Sequence, residues 1–415
     1  MGLIADLFAG GGGASLGIEM ALGRSPDIAI NHDAEAIAMH STNHPTTTHL
    51  LGDVWNVDPV AACRGRSVEA AWFSPDCCHF SRCKNGKPLS RKRRALAWVV
   101  IRWARAVRPA VIFCENVVEW LDWGPLDAND RPDQLRKGLT FRVWLGKLKA
   151  AGYVVEMREL RACDYGAPTI RKRLFVIARC DGAPIVWPTP THGAGLLPYR
   201  TAAECVDWKL PIASIFERRR PLVTATLARI AKGVERFVLC PNPYIVNDFI
   251  PSLVQTGYGE RKGQTPRALD IRQPLGTVVA GGAKHALVAA FLAKHYGGHS
   301  TPGSSLTAPM STVTTQDHHA LVAATLHESK QSQAAAMLAR FGVHAPQIED
   351  IAMRMLSPRE LFSAQDFPRS YVIDPVVNGK PLSQTAQIRM AGNSVSPAVA
   401  AAIVAANVAR KARAA

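Results

Sequence analysis

Leu3-Ile4-Ala5-Asp6-Leu7-Phe8-Ala9-Gly10-Gly11-Gly12-Gly13 is an apolar run that breaks into four consecutive glycines. The run predicts a buried strand over residues 2–9, and the apolar pattern from Ala14 to Leu22 predicts a helix after it. Glycines between a strand and a helix let the backbone approach a ligand closely. A strand–glycine turn–helix is the setting that a nucleotide-type site requires.

The pattern continues outward from that turn. Ile28 to Ile30 reads as a second strand ending at Asn31-His32-Asp33, with a helix to about His44. Ala70 to Phe73 and Ala110 to Phe113 read as buried strands, with a helix from Arg94 to Ala106 between them. Tyr153 to Leu160 and Leu174 to Ala178 read as further strands. Alternating strands and helices predict an α/β fold, a Rossmann-like, mostly parallel sheet covered on both faces. After about Pro188 the helical periodicity thins and Pro, Gly, Thr and His become frequent. Pro274-Leu275-Gly276-Thr277-Val278 with His285-Ala286-Leu287-Val288 is echoed by Pro309-Met310-Ser311-Thr312-Val313 with His319-Ala320-Leu321-Val322. Two copies are too few for a solenoid and predict two similar strand-loop-strand units of a smaller, irregular second domain. Ser357 to Ala364 reads as a capped helix start, and an apolar helix returns from Gln387. The expected division is 1–188, 189–375 and 376–415, the last segment returning to the first domain.

The chain has 415 residues, enough for a large core and two domains. Its net charge of +16 points to a polyanionic partner. Nine cysteines without a CxxC pair suit a reducing compartment better than a disulfide framework. The N-terminus lacks the basic n-region of a signal peptide. The apolar stretch Val395 to Val408 is short, Ala-rich and interrupted by Pro397 and Asn407, so it reads as a buried helix rather than a membrane span.

Chemistry-bearing residues cluster at the predicted strand ends, where ligands of such sheets bind. Cys77 follows a buried strand, in a loop with Ser81, Arg82, Lys84, Lys87 and Arg91. Nearby cations favour the thiolate, and the same cations suit contact with phosphate. Cys77, Cys78, Cys83 and His79 have poor spacing for tetrahedral zinc, so no metal site is expected. Glu115-Asn116 ends another strand. Asp53, after Leu51-Gly52, either meets an adenine amine or caps a turn. At the end of the second strand, where an acid usually holds ribose hydroxyls, Asn31 is a neutral alternative, His32 is able to stack on adenine, and Asp33 competes for the ribose.

Taken together, these motifs resemble the cytosine-5 DNA methyltransferase family over nearly the whole chain, with bacterial and prophage members closest in texture. Asp6 to Gly13 is similar to the family's first motif, Pro75 to Ser81 to its Pro-Cys loop, and Glu115-Asn116-Val117 to its Glu-Asn-Val motif. Arg171-Lys172-Arg173 resembles the Arg-x-Arg motif. Arg359-Glu360 through Phe367-Pro368 resembles the ninth motif, and Gly392-Asn393-Ser394-Val395 the tenth. Departures are Asp76 where many members have Pro, Cys78 in place of Gln, and Thr169 in place of the Gln that opens Arg-x-Arg.

The resemblance implies an S-adenosylmethionine-dependent enzyme acting on double-stranded DNA in the bacterial cytoplasm or nucleoid, as a monomer, with no membrane partner. Cys77, Glu115, Asn116, Arg171 and Arg173 would be catalytic. Asp6, Phe8, Ala9, Gly10, Gly11, Gly12, Gly13, Asn31, His32, Asp53, Val54, Asp76, Asn393, Ser394 and Val395 would line the cofactor. The Cys77 loop cations, with Lys284, His285 and His319 at the ends of the repeat, would reach DNA. Two rivals share the fold: an RNA cytosine-5 methyltransferase and a DNA-binding regulator without turnover. The long basic insert from about 190 to 355 favours DNA over RNA, and an intact Cys77, Glu115 and Arg173 speak against the regulator.

Overall fold

A computed structural model describes residues 2–76, 90–246, 249–257, 263–282, 284–292, 332–346 and 348–408. They form two compact units. The first takes residues up to 200, 274–282 and everything described from 358 onward. The second takes 201–273 and 283–357. The expected borders at 188 and 375 therefore shift. The ninth-motif segment belongs to the first unit, and so does the Pro274–Gly282 stretch, which had been assigned to the second domain.

In chain order the first unit contains β1 (Leu3–Leu7), α1 (Gly13–Leu22), β2 (Ile28–Asn31), α2 (Ala34–Asn43), β3 (Thr48–Leu51), α3 (Pro59–Cys63) and β4 (Val68–Phe73). These are followed by α4 (Arg91–Arg94), α5 (Trp98–Ala106), β5 (Val111–Asn116), α6 (Leu139–Ala150), β6 (Val154–Arg161) and β7 (Lys172–Arg179). The seven strands form one sheet in the order β3-β2-β1-β4-β5-β7-β6. β1 to β5 run parallel, while β7 is antiparallel to both β5 and β6. Between β1 and β4 the chain reverses its direction of travel across the sheet, the place where open α/β sheets bind ligands.

Alternation along β1 feeds two cores. Leu3, Ala5 and Leu7 join the cluster that includes Trp103, Trp120, Trp123 and Trp144 beneath α5 and α6. Ile4 points to the opposite face, where it packs with Ala14 and Ile18 of α1. That second face is closed by the end of the chain. After the second unit come α9 (Pro358–Ala364), a small hairpin, α10 (Gln384–Asn393) and α11 (Pro397–Asn407). Val399, Ala400, Ile403 and Val404 of α11 complete the cluster around Ile18. By length and composition Gln384–Asn407 would suffice to cross a membrane, yet most of it is buried inside this unit. The buried Asn407 accepts from Arg179 and donates to the Val186 carbonyl at 2.8 Å, which satisfies its polar group.

The second unit is built on an antiparallel sheet. Its elements are α7 (Thr224–Gly233), β8 (Ile250–Gln255), β9 (Ala268–Leu269), β10 (His285–Leu292), α8 (Gln333–Ala339) and β11 (Ile348–Met355), with strand order β11-β10-β8-β9. Ile230, Val234, Val288, Leu338 and Ile351 form its core. The first of the two expected strand-loop-strand units does not form as such. In the first copy only the His285-Ala286-Leu287-Val288 half is strand. Leu275 instead makes an isolated bridge to Thr169 within the first unit. The second copy lies outside the described residues.

Candidate active site

The glycine turn leaves β1 through Phe8, held in the left-handed region at φ 63°. Such a conformation is strained for a residue with a side chain and concentrates at functional sites. The Ala9 amide donates to the Ile30 carbonyl at 3.2 Å, tying the turn to β2. The glycines serve different needs. A Cβ at Gly12 would stand 2.1 Å from the Tyr371 hydroxyl, and one at Gly13 would stand 2.1 Å from Ser394 Oγ. These two are glycines because the returning C-terminal segment lies against them. A Cβ at Gly10 would meet nothing nearer than 3.9 Å, although its φ of 53° still favours glycine. Phe8 and Gly10 are partly exposed, while Ala9, Gly11, Gly12 and Gly13 are buried. The surface that the turn offers a ligand thus narrows to Phe8 and Gly10. Ser394 and Val395 are buried against the turn, whereas Asn393, at the end of α10, is exposed.

At the end of β2, Asn31 accepts the Asp33 amide through Oδ1 at 3.0 Å. Its side-chain carbonyl is therefore engaged, and its amide donors remain to meet a ligand. Asp33 is not an open ribose ligand as expected from its position. Its carboxylate caps α2 by accepting the Glu35 amide at 3.0 Å and pairs with Arg389 of α10. Arg389 also holds Glu35 at 2.6 Å and keeps the Asp33 carboxyl below its usual range despite partial burial. His32 is exposed beside it. Asp53 is half-buried two residues beyond β3 and accepts the Trp55 amide at 3.1 Å, while Val54 is buried. Asp53 thus fills the turn role, with one oxygen accounted for. Arg389 and Tyr371 were not legible as parts of this region. Only an ionic partner for Asp33 and a filler above Gly12 would have pointed to them, and the sequence specifies neither.

Glu115 and Asn116 close β5. Glu115 is buried, and burial raises its carboxyl above the usual range against the opposing influence of Arg173 and Arg171. Arg173 Nε stands 3.2 Å from Glu115 Oε1, and Arg171 Nη2 stands 3.9 Å from the same oxygen. Arg173 lies near the start of β7 and Arg171 just before it, and β7 pairs antiparallel with β5 and sets Glu115 across from Phe175. Arg171 is buried and also donates to the carbonyls of Val278 at 3.2 Å and Gly392 at 3.1 Å. Thr169, in the place of the familiar Gln, is fully buried and accepts the Arg171 amide through Oγ1 at 3.3 Å. Asn116 donates to the Pro75 carbonyl at 3.0 Å and accepts the Val117 amide at 2.8 Å. It therefore joins the end of β5 to the root of the Cys77 loop. Asp76 follows Pro75, with Arg93 at 3.5 Å.

Gly392 belongs to this neighbourhood, since a Cβ there would lie 2.1 Å from the Ala280 amide nitrogen. The 274–282 segment is therefore part of the site's wall, which its Thr-Val sequence did not suggest.

Cys77, Ser81, Arg82, Lys84 and Lys87 lie outside the described residues, as do His319 and the Arg91 side chain. In the second unit Lys284 is half-buried, and its carbonyl accepts the Thr256 amide at 2.6 Å. His285 corrects an expectation. It is the first residue of β10, is 1% exposed, and burial holds its imidazole down to about 4. A neutral ring enclosed in the core is not a DNA contact.

A family described as C-5 cytosine-specific DNA methylase matches residues 3–193 and 286–408. Type II methyltransferase M.AgeI of Thalassovita gelatinovora is 28% identical over 46% of this chain and 42% of its own length. M.NlaX of Neisseria lactamica is 31% identical over 42% of this chain and 51% of its own. The chain thus spans about half the length of these relatives. Among solved structures, Spodoptera frugiperda DNMT2 aligns over 97% of this chain and 98% of its own, with a TM-score of 0.55 at 16% identity. A prophage-encoded E. coli protein described as a DNA modification methyltransferase aligns over 98% of both chains, with a TM-score of 0.53 at 18% identity. At such identities the likeness is one of fold. With the family match extending over more than half of its residues, the chain belongs to the C-5 cytosine-specific DNA methylases.

Proposed function

We propose that this protein transfers a methyl group from S-adenosylmethionine to C5 of a flipped-out cytosine in double-stranded DNA. The observation that carries the reading is the buried Glu115, set against Arg173 and Arg171 beside an Asn116 that grips Pro75.

Each residue has a task that the chemistry demands. The Cys77 thiolate adds to C6, forming an S–C6 bond and pushing the ring's π electrons toward C5 and N3. Glu115, which burial inclines to keep its proton, donates it to N3 and neutralises the charge that develops there. Arg173 binds the cytosine O2. Arg171 orients Glu115 and ties it to the 278 and 392 carbonyls. Asn116 fixes the root of the nucleophile loop. S-adenosylmethionine, when bound, supplies the electrophilic methyl group that C5 takes. Loss of the C5 proton to a base then restores the C5–C6 double bond and expels the Cys77 thiolate, while N3 returns its proton to Glu115. A stacked base is out of reach of these groups, so the target leaves the duplex first.

The ends of β1, β2 and β3 are where the cofactor's adenosine would lie. Asn31 offers amide donors to the ribose, His32 a ring for stacking, and Asp53 a carboxylate for the exocyclic amine. Lys284 and the cations of the Cys77 loop serve DNA phosphates. The enzyme acts as a monomer in the bacterial cytoplasm, and the type II designation of its relatives suits modification alongside a companion endonuclease.

The test is bisulfite sequencing of DNA from cells expressing the wild type or Cys77→Ser, with duplex DNA and transfer RNA assayed in parallel on purified protein. The wild type should protect cytosines in one sequence context and Cys77→Ser should protect none, because a serine hydroxyl is scarcely ionised at neutral pH. Methylation of transfer RNA alone would redirect the reading to RNA, and an active Cys77→Ser would overturn the mechanism.

A further inference from the structure

The helix that follows the glycine turn begins without a cap of its own. Its N-cap is Gly12, which has no side chain to accept the first amides of α1, and such amides need a partner. Asp6 supplies one from across the turn. It sits in β1, fully buried, and its Oδ2 accepts the Ser15 hydroxyl at 2.6 Å while the Ser15 main-chain N–H faces the same carboxylate. One residue near the end of a strand thus grips the first turn of the next helix, and the turn that exposes Phe8 and Gly10 is strung between the two ends.

Behind Ser15 the contact continues. His40 Nε2 lies 2.8 Å from Ser15 Oγ, and His40 Nδ1 lies 2.8 Å from His49 Nε2. His40 is fully buried on α2, while His49 on β3 is half-exposed. Proton counting gives this row a direction. A hydroxyl has one proton. Spent on an ionised Asp6, it obliges Ser15 to accept from His40 Nε2–H, and His40 Nδ1 must then accept from His49 Nε2–H. If Asp6 carries a proton, every donor in the row turns round, and His49 receives instead. In both states each link is satisfied. Asp6 Oδ1 has no hydrogen-bond partner among the described residues. Other titratable groups face the row, His44 beside His40 and His49 and Tyr371 beside Asp6. His44, the C-cap residue after α2, stands 3.0 Å from Glu19 of α1, and Tyr371 donates to the Gly11 carbonyl at 2.6 Å and stands 3.3 Å from His44. The His40 and His44 rings are 4.7 Å apart.

We infer that Ser15, His40 and His49 are positioning residues for the cofactor, a buried hydrogen-bonded row that clamps Asp6 to the start of α1 and so fixes the glycine turn. The inference rests on the S-adenosylmethionine reading above. The row itself touches no substrate. It acts on the shape of the turn, so loosening it raises the cofactor's dissociation constant and KM while leaving turnover at saturating cofactor nearly intact.

Calorimetry of S-adenosylmethionine binding without DNA, with steady-state kinetics beside it, tests this on the full chain. Ser15→Ala should weaken binding about tenfold, the order expected when a buried hydrogen-bond partner is lost, with kcat within about twofold. His49→Ala should weaken it less. His49→Gln, whose amide still donates and accepts, should restore it. A merely structural role would lower the melting temperature of these variants without separating KM from kcat. If Ser15→Ala does not fold, the half-exposed His49 pair decides alone. Variants that bind like the wild type, or a His49→Gln as weak as His49→Ala, overturn the inference. A wild type that binds no S-adenosylmethionine overturns the cofactor reading and the inference together.

Discussion

Glu115 is pulled two ways. Burial raises its proton affinity, and Arg173 and Arg171 lower it, with burial the larger influence. In the proposed mechanism the protonated form serves N3, so kcat should fall as pH rises through the elevated Glu115 pKa. Glu115→Gln offers an N–H to N3 but no transferable proton. It should cut kcat by about 10²–10⁴, the range of general-acid contributions, remove that alkaline limb, and leave cofactor binding near the wild type. Single-turnover methylation across a pH series reads both effects, and an unchanged alkaline limb would take the proton away from Glu115. The acid beside an Asn and the paired arginines stood out in the sequence, and the structure brings Glu115, Asn116, Arg171 and Arg173 to one place. Their partners did not stand out. Asp33 looked available, but Arg389, 356 positions later, occupies it. A local pattern carries no information about an ion pair closed over such a separation.

At the scale of elements, β1, β2, β4 and β5 were readable because these parallel strands are buried and so read as apolar runs, whereas the more exposed edge strand β3 did not stand out. The later chain was not readable either. It weaves between units, and 274–282 is held by Thr169 and Gly392 rather than by any periodicity of its own. β10 shows the cost of judging a residue by its neighbours. His285 follows Lys284 and seemed to be a basic tip, yet it is the first rung of a central strand paired with β8 and β11. That placement has a pH signature. His285 stays neutral in the fold down to about 4, whereas in the unfolded chain it takes a proton near the ordinary value of about 6.5. Below that value the unfolded state binds more protons, so stability falls as pH drops and the loss levels off beneath the folded pKa. At pH 5 the penalty from this one ring is roughly 2 kcal/mol. Urea denaturation of the second unit at pH 7 and pH 5 should therefore show a smaller acid loss for His285→Leu than for the wild type. Equal losses would mean that the ring is already solvated.

For the whole molecule, the decisive feature is that the first unit is assembled from three stretches of chain, two of which arrive after the second unit's residues have begun or ended. α11 lies on α1, and a Cβ at Gly17 would stand 2.5 Å from Ala400, so the two helices are shaped to each other. A chain stopped after residue 357 should keep β1 to β7 but expose Ala14 and Ile18, lose the Ser394 and Tyr371 contacts to the glycine turn, and bind no S-adenosylmethionine by calorimetry. Wild-type affinity in that truncation would mean that the turn needs no such cover. During synthesis the same geometry becomes a matter of timing. At about 5–20 residues per second, α1 leaves the ribosome tens of seconds before α11. Through that interval the nascent chain carries an uncovered apolar helix and an unfinished turn. A translation product that stops short of Ser394 and α11 therefore leaves α1 without the helix shaped to it, and the glycine turn without Ser394 and Val395 against it.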